Sequence, residues 1–189
     1  MIIYLHGFNS SPQSHKARLL GRLLAERGLA AEYACPALPP RPLDAVRVVE
    51  TEMARNPGRS FCFVGSSLGG FYATHLAEKH DARAVLINPA IEPDTGLESY
   101  LGAQRNLYTG ESWELTREHL AEWASLRVAR ITPSRYLLLV ETGDEVLDYR
   151  RAVQRYAGAR QVVIEGGDHT LKSFPEQIPL LLEFAGLAA

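Results

Sequence analysis

Short apolar runs alternate along this chain with longer segments in which apolar residues recur every three or four positions. Short runs are typical of buried strands, and the wider spacing is typical of amphipathic helices. The pattern predicts strands at 2–5, 31–35, 61–64, 83–88, 135–141 and 161–165. Strands that alternate with helices favour a parallel sheet covered on both faces and joined by right-handed crossovers.

Helix boundaries are marked by proline, glycine and capping residues. Ser11 followed by Pro12 predicts an N-cap and a first helical position, and Gly28 follows the end of the same leucine stripe. The remaining helices are expected around 46–53, 71–80, 112–126, 148–157 and 175–186.

One connection, residues 89–133, is much longer than the other predicted connections between strands. A connection of this length in a compact domain usually carries function or contains its own structure. We therefore expect a cap over the active site at about 90–132, within a single domain that covers residues 1–189. Four aromatic residues of this segment are candidate pocket walls, namely Tyr100, Tyr108, Trp113 and Trp123. The alternative is a surface helix whose tryptophans pack on the core.

Composition limits the classes of partner. Twenty basic and 22 acidic residues give a formal charge of −2 without a basic stripe, so we expect a small-molecule substrate rather than nucleic acid. No stretch approaches the roughly 20 apolar residues that span a bilayer, and the N-terminal run is too short for a signal peptide. A cytoplasmic location is expected, and Cys35 and Cys62, each in an apolar run, are expected to be buried thiols without chemistry. The oligomeric state is left open.

The segment SFCFVGSSLGGF, residues 60–71, contains the G-x-S-x-G pattern between an apolar run and a helical segment. A nucleophile elbow places its central serine on a strained strand-to-helix turn, where only small residues fit two positions to either side. Ser67 is the central residue, Gly65 and Gly69 are the small ones, and Ser66 is the less favoured neighbour.

A serine hydroxyl needs a base, and the base needs an orienting acid. The segment TGDEVLD follows the fifth strand and GGDHT follows the sixth, in the order Ser, acid, His that an elbow of this kind requires. Because the carboxyl ends of parallel strands meet at one edge, Asp144 and His169 are expected near the serine. Asp148 is expected to cap the following helix, and Asp168 is the remaining alternative acid.

The segments MIIYLHGFNSSPQSHKA, GSSLGGFYA, TGDEVLDY and GGDHTLKSF together resemble the small bacterial YqiA-type esterase family of the α/β-hydrolase superfamily. The resemblance runs nearly from end to end. It implies a trimmed α/β-hydrolase fold of about six strands, in which the first strand here corresponds to the superfamily's third and the elbow strand is central. It also implies hydrolysis of short to medium acyl esters or thioesters without a cofactor.

Carried over from the resemblance, Ser67 is the nucleophile, His169 the general base and Asp144 the acid that orients it. The oxyanion donors are expected to be the backbone N–H groups of Leu68 and Phe8, with Gly7 allowing a close backbone approach. This chain has HGF where many lipases have HGGG, which makes Phe8 the less secure of the two donors.

Several alternatives remain at this point. His6 is expected to support the oxyanion loop, and a metal site built from His6, Asp168 and His169 is disfavoured because the spacing matches no metal motif. His15, His75, His80 and His119 lie on predicted helices without an expected role. GSSLGG lacks the lysine of a phosphate-binding loop. A catalytically silent binding protein, an amidase and an acyltransferase are the competing functions.

Overall fold

The computed structural model describes residues 1–187 and is built on a six-stranded parallel sheet. Its strands are β1 (Ile2–Leu5), β2 (Tyr33–Ala34), β3 (Cys62–Ser66), β4 (Arg83–Ile87), β7 (Tyr136–Glu141) and β8 (Arg160–Ile164). A separate antiparallel hairpin consists of β5 (Gly102–Arg105) and β6 (Ser112–Leu115). The helices are α1 (His15–Glu26), α2 (Pro42–Ala54), α3 (Leu68–Lys79), α4 (Pro93–Gly96), α5 (Arg117–Ser125), α6 (Tyr149–Arg155) and α7 (Phe174–Ala185).

The strand order is β2-β1-β3-β4-β7-β8, and every pair in this sheet is parallel. Strand β3 therefore lies inside the sheet, paired with β1 through Leu5 and Gly65 and with β4 through Ser66 and Ile87. Its carboxyl end opens between those of its neighbours, where ligands bind in sheets of this kind. The predicted parallel sheet of about six strands is confirmed.

The two faces of the sheet are covered by different helices, which explains the nearly continuous apolar strands. Alternate side chains of β1 point to opposite faces, so Ile2 and Tyr4 pack with α1 and α7, while Ile3 and Leu5 pack with α2, α3, α5 and α6. Both clusters are almost fully buried. The sheet is thus held rigidly from both sides, and the loops at its carboxyl edge are positioned by it.

The first helix begins later than the sequence predicts. Ser11 does not cap it: its Oγ accepts from the N–H of Gln13 at 3.0 Å in a local turn, and the helix starts at His15 after Ser14. The strand predicted at 31–35 is also shorter, because a 3₁₀ turn at Ala30–Glu32 leaves only two residues in β2.

The helix predicted over 112–126 is wrong in its first five residues. Residues Ser112–Leu115 form β6, paired with β5, and the helix begins only at Arg117. The backbone N–H of Thr116 donates to Nδ1 of His119 at 3.2 Å, which caps the helix at that point and stops it from extending backwards. No helix within residues 1–187 is long and apolar enough to cross a membrane.

Candidate active site

The turn between β3 and α3 holds Ser67 in a strained conformation, with φ 55° and ψ −121°. A Cβ at Gly65 would overlap the backbone of Gly69, and one at Gly69 would overlap the carbonyl of Leu5. The N–H of Ser67 donates to the carbonyl of Ile87 at 3.0 Å, which ties the turn to β4. The glycines predicted from the motif therefore lie where strand and helix come closest.

Three side chains predicted from the sequence lie within hydrogen-bond reach at the carboxyl edge of the sheet. Nε2 of His169 is 3.1 Å from Oγ of Ser67, and Nδ1 of His169 is 2.8 Å from Oδ2 of Asp144. Because Nδ1 faces a carboxylate, it carries the proton, and Nε2 is left free to accept from the serine hydroxyl. Ser66, by contrast, belongs to β3 and is buried.

The carboxylate of Asp144 is almost wholly buried, with a side-chain exposure of 1%. Burial alone would raise its pKa, but hydrogen bonds from His169 and from the N–H groups of Leu147 and Val146 outweigh it and hold the pKa below its usual value. Asp144 is therefore a fixed anion directed at the imidazole.

The two alternative acids have other partners. Asp148 caps α6 by accepting from the N–H of Arg150 at 3.0 Å, which confirms the predicted cap. Asp168 bonds with Thr170 and with Nζ of Lys172, and these bonds lower its pKa to about 2. Neither carboxylate contacts the imidazole of His169.

The loop after β1, residues 6–10, passes beside the serine. A Cβ at Gly7 would lie 3.3 Å from Cβ of Ser67, so this glycine allows the close approach of the two backbones. Phe8 and Leu68 both line the cavity at Ser67, and within residues 1–187 neither backbone N–H donates a hydrogen bond to the protein. Two free donors beside the serine are the arrangement that an oxyanion requires.

His6 supports this loop from behind. Its Nε2 accepts from the N–H of Leu38 at 3.0 Å, so its Nδ1 carries the proton and donates to the carbonyl of Gly7 at 3.1 Å. Burial lowers the pKa of His6, partly offset by the bond to Gly7. In the described part of the chain, no three histidine, cysteine or carboxylate side chains are grouped as a metal site.

Two buried polar residues that sequence reasoning missed hold the loop that carries His169. Glu141 ends β7, and its carboxylate accepts from the N–H groups of Asp168, Lys172 and Ser173 at 2.8, 3.0 and 2.9 Å and from Oγ of Ser173 at 2.6 Å. Burial would raise its pKa, but these donors lower it. An acidic residue at the end of an otherwise apolar strand was the signal in the sequence.

Asn88 is the second of these residues. It follows β4 with φ 40°, and its Nδ2 donates to the carbonyls of Asp168 and His169, both at 3.1 Å. Its Oδ1 accepts from the N–H of Glu141 at 3.1 Å. The end of β4, the end of β7 and the histidine loop are thus joined through one side chain.

Lys16, at the start of α1, reaches the same loop from the other side. Its Nζ donates to the carbonyl of Thr170 at 2.7 Å. Burial lowers its pKa to about 8, although Asp168, Glu141 and Asp144 oppose the shift. Lys16 therefore adds a partly buried amine to the wall of the cavity.

Ser67 opens into a cavity of about 720 Å³, within the roughly 300–1,000 Å³ typical of small-molecule sites. Most of its wall is apolar, including Tyr4, Phe8, Ile91, Leu97, Leu147 and Phe174. Tyr100 and Tyr108, from the segment at 90–132, also line it, as expected from the sequence. Trp113 and Trp123 do not line this cavity, and Trp123 is buried in the core.

The two cysteines have no part in this site. Both are free thiols, Cys62 buried and Cys35 partly so, and burial raises the pKa of each to about 12. A thiol of that kind is a poor nucleophile at neutral pH.

The parallel sheet, its strained serine turn and its crossover helices define an α/β-hydrolase fold. The chain belongs to the family described as Uncharacterised protein family (UPF0227), whose model matches residues 1–186, and the resemblance inferred from the sequence is confirmed. It is 27% identical over 195 residues to the UPF0227 protein ECA1814 of Pectobacterium atrosepticum, with 99% of each chain covered.

Two solved structures show the same fold at low identity. The mouse alpha/beta hydrolase domain-containing protein 10 has a TM-score of 0.73 and 17% identity, with 96% of this chain and 87% of that chain covered. The monoacylglycerol lipase of Paleococcus ferrophilus has a TM-score of 0.66 and 15% identity, with 100% and 94% covered.

Proposed function

We propose that this protein is a serine hydrolase that cleaves carboxylic esters or acyl thioesters through an acyl-Ser67 intermediate. The observation that carries the proposal is the continuous line of hydrogen bonds from Asp144 through His169 to Oγ of Ser67, beside two free backbone donors. A buried anion, an imidazole oriented by it and a serine in a strained turn are the combination that nucleophilic catalysis by serine requires.

In the first half of the reaction, Oγ of Ser67 attacks the carbonyl carbon of the substrate while Nε2 of His169 takes the hydroxyl proton. The carbonyl oxygen becomes an oxyanion that accepts from the N–H groups of Phe8 and Leu68. His169 then gives its proton to the leaving alcohol or thiol, the bond to that group breaks, and the acyl group stays on Ser67.

In the second half, a water molecule replaces the leaving group. His169 takes a proton from this water as it attacks the acyl carbon, and the same two N–H groups stabilise the second oxyanion. The proton returns to Oγ of Ser67 when the acyl bond breaks, which releases the carboxylic acid and restores the enzyme. Asp144 stays ionised and stabilises the imidazolium formed in each half.

The cavity supports an apolar acyl group as the substrate feature that is recognised. Its wall is largely apolar, and Ser67 and His169 are among the polar residues that line it. The residues from 90–132 that line it would act as a cap, and we propose that they contribute to the choice of acyl chain.

Turnover of matched p-nitrophenyl esters, acyl thioesters and anilides by one preparation tests the proposal. We expect ester and thioester hydrolysis that falls by about 10³-fold or more in Ser67→Ala. Ser66→Ala, the neighbouring serine, is the matched control and should stay within a few-fold of wild type. Equal rates for Ser67→Ala and wild type would contradict the proposal, and so would tight binding of an intact ligand with no turnover in any of the three series.

A further inference from the structure

The β5–β6 hairpin, residues 102–115, is hydrogen-bonded directly to the loop that carries the proposed Phe8 donor. We call residues 6–10 the oxyanion loop. These two segments lie far apart in the chain, and nothing in the sequence pattern links them. Four hydrogen bonds and one contact between aromatic rings join them.

Asn9 is the centre of this connection. Its Oδ1 accepts from Nε1 of Trp113 at 2.8 Å, and its Nδ2 donates to Oε1 of Gln104 at 3.0 Å. Its backbone carbonyl accepts from the N–H of Leu107 at 2.9 Å. Asn9 itself has φ 51°, a left-handed conformation that asparagine tolerates better than most residues.

The residues on either side of Asn9 are held as well. Nδ2 of Asn106 donates to the carbonyl of Ser10 at 2.8 Å, and the ring of Phe8 meets the ring of Trp113 edge-on at 5.6 Å. Phe8 is in neither a helix nor a strand, so no backbone ladder fixes its N–H. The hairpin's contribution to the direction of the Phe8 N–H therefore comes from these contacts with Asn9, Ser10 and the ring of Phe8.

We propose that the hairpin is a positioning element, which fixes the Phe8 N–H as an oxyanion donor through Trp113 and Asn9. The inference rests on the proposed function. An oxyanion donor acts only if it is fixed before the charge develops, because reorientation during the reaction would consume the stabilisation. Asn9 and Trp113 do not touch the reacting atoms and act through the backbone of the loop.

The same hairpin also borders the cavity. Leu107 and Tyr108, in its turn, line the mouth of the cavity with side chains that are largely exposed. A substrate that packs against this turn therefore contacts the element that holds the oxyanion donor. Acyl-group binding and donor alignment are linked through one short segment of chain.

Trp113→Phe is the primary test because it removes the indole N–H while keeping an aromatic ring beside Phe8. Trp123→Phe is the matched control, since Nε1 of Trp123 donates to the hydroxyl of Tyr72 at 2.7 Å and not to a residue of the oxyanion loop. Both variants lose one indole hydrogen bond. We expect Trp113→Phe to lower kcat about 10-fold or more with little change in KM, and Trp123→Phe to keep kcat within about twofold even where Tm falls.

A boronic acid with an alkyl chain provides a second readout, because its adduct with Ser67 places an oxygen in the oxyanion site. Its affinity should weaken in Trp113→Phe by about the same factor as kcat/KM, whereas a purely structural role would change Tm alone. Asn9→Gly, which keeps the left-handed backbone, should behave like Trp113→Phe, and the double variant should lose little more than either single one.

The inference is overturned if Trp113→Phe and Asn9→Gly keep the kcat and the boronic acid affinity of wild type. That result would leave the proposed function intact, because wild-type turnover would still depend on Ser67. Failure of the proposed function has a different signature, in which wild type and Ser67→Ala hydrolyse esters equally.

Discussion

Glu141→Gln is expected to weaken both the fold and catalysis, although Glu141 does not contact Ser67 or His169. The side chain is buried, and its two oxygens accept four hydrogen bonds from the segment that follows β8. Glutamine has nearly the same shape but replaces one oxygen with an NH₂ group. The substitution therefore tests the acceptors rather than the packing.

The size of the effect follows from how these bonds are shared. One oxygen accepts from Asp168 and Lys172, and the other accepts from the N–H and Oγ of Ser173. In the better orientation of the amide, the serine hydroxyl can turn to accept, but the N–H of Ser173 then faces an NH₂ group. One buried donor left without an acceptor, together with the loss of charge-assisted hydrogen bonds, should lower the free energy of unfolding by about 2–4 kcal/mol.

Urea unfolding followed by tryptophan fluorescence measures this loss, with the midpoint and slope compared at pH 7. Glu165→Gln is the matched control, because Glu165 is exposed just beyond β8 and should change the free energy of unfolding by less than about 0.5 kcal/mol. kcat of Glu141→Gln should fall about 10-fold, since the loop of His169 loses an anchor while Asn88 still holds it.

The difference in the free energy of unfolding between wild type and Glu141→Gln should also depend on pH. The pKa of Glu141 is lowered in the fold, so its contribution is fully present above the ordinary value of about 4.3 and is lost as the pH falls through the folded value. The two proteins should therefore converge in stability under acid. A variant as stable and active as wild type at pH 7 would refute this role of Glu141.

Three further substitutions have defined outcomes. Asp144→Asn should lower kcat on the order of 10³-fold or more, because the amide no longer holds the productive imidazole tautomer, whereas Asp148→Asn should keep kcat because asparagine caps helices equally well; equal kinetics for the two would contradict the assignment. Gly65→Ala would bring a Cβ within 2.6 Å of the Gly70 nitrogen, so urea unfolding should show a loss of about 3 kcal/mol or more; a stability equal to wild type would be contrary to this geometry. The pKa of Lys16 is lowered to about 8 in the fold, so between pH 8 and about 10 the unfolded chain binds more protons than the folded chain. The free energy of unfolding should therefore rise with pH over that range, and it should rise less in Lys16→Met. Identical slopes for the two proteins would count against the shift.

Local patterns in the sequence were sufficient for the sheet and for the side chains that meet at its edge. The strands have runs of apolar residues, and Ser67, Asp144 and His169 each follow such a run, although β8, at the edge of the sheet, is only partly buried. Their meeting is a consequence of parallel topology, which brings the ends of distant strands to one edge. The motif glycines Gly65 and Gly69 were also predictable from the sequence, because the close approach of strand and helix excludes larger residues.

Residues that act through long-range contacts were not predictable in the same way. Glu141, Asn88 and Asn9 have partners that lie far away in sequence, and no local spacing indicates those partners, although an acidic residue at the end of an apolar strand made Glu141 unusual. The hairpin was missed because its four-residue strands are too short for a clear period and because Trp113 was assigned to the helix that begins at Arg117. Ser11 and Pro12 are residue types that often start a helix, but Oγ of Ser11 accepts a hydrogen bond in a local turn instead of capping the helix.

The central claim, that Ser67 is the nucleophile, is tested most directly by a fluorophosphonate probe and peptide mass spectrometry. The reaction forms a stable bond between phosphorus and an activated serine oxygen, with loss of fluoride. We expect one probe per chain, located on Ser67, with labelling abolished in Ser67→Ala and retained in Ser66→Ala. An unlabelled wild-type protein, or a probe located on a different serine, would contradict the account.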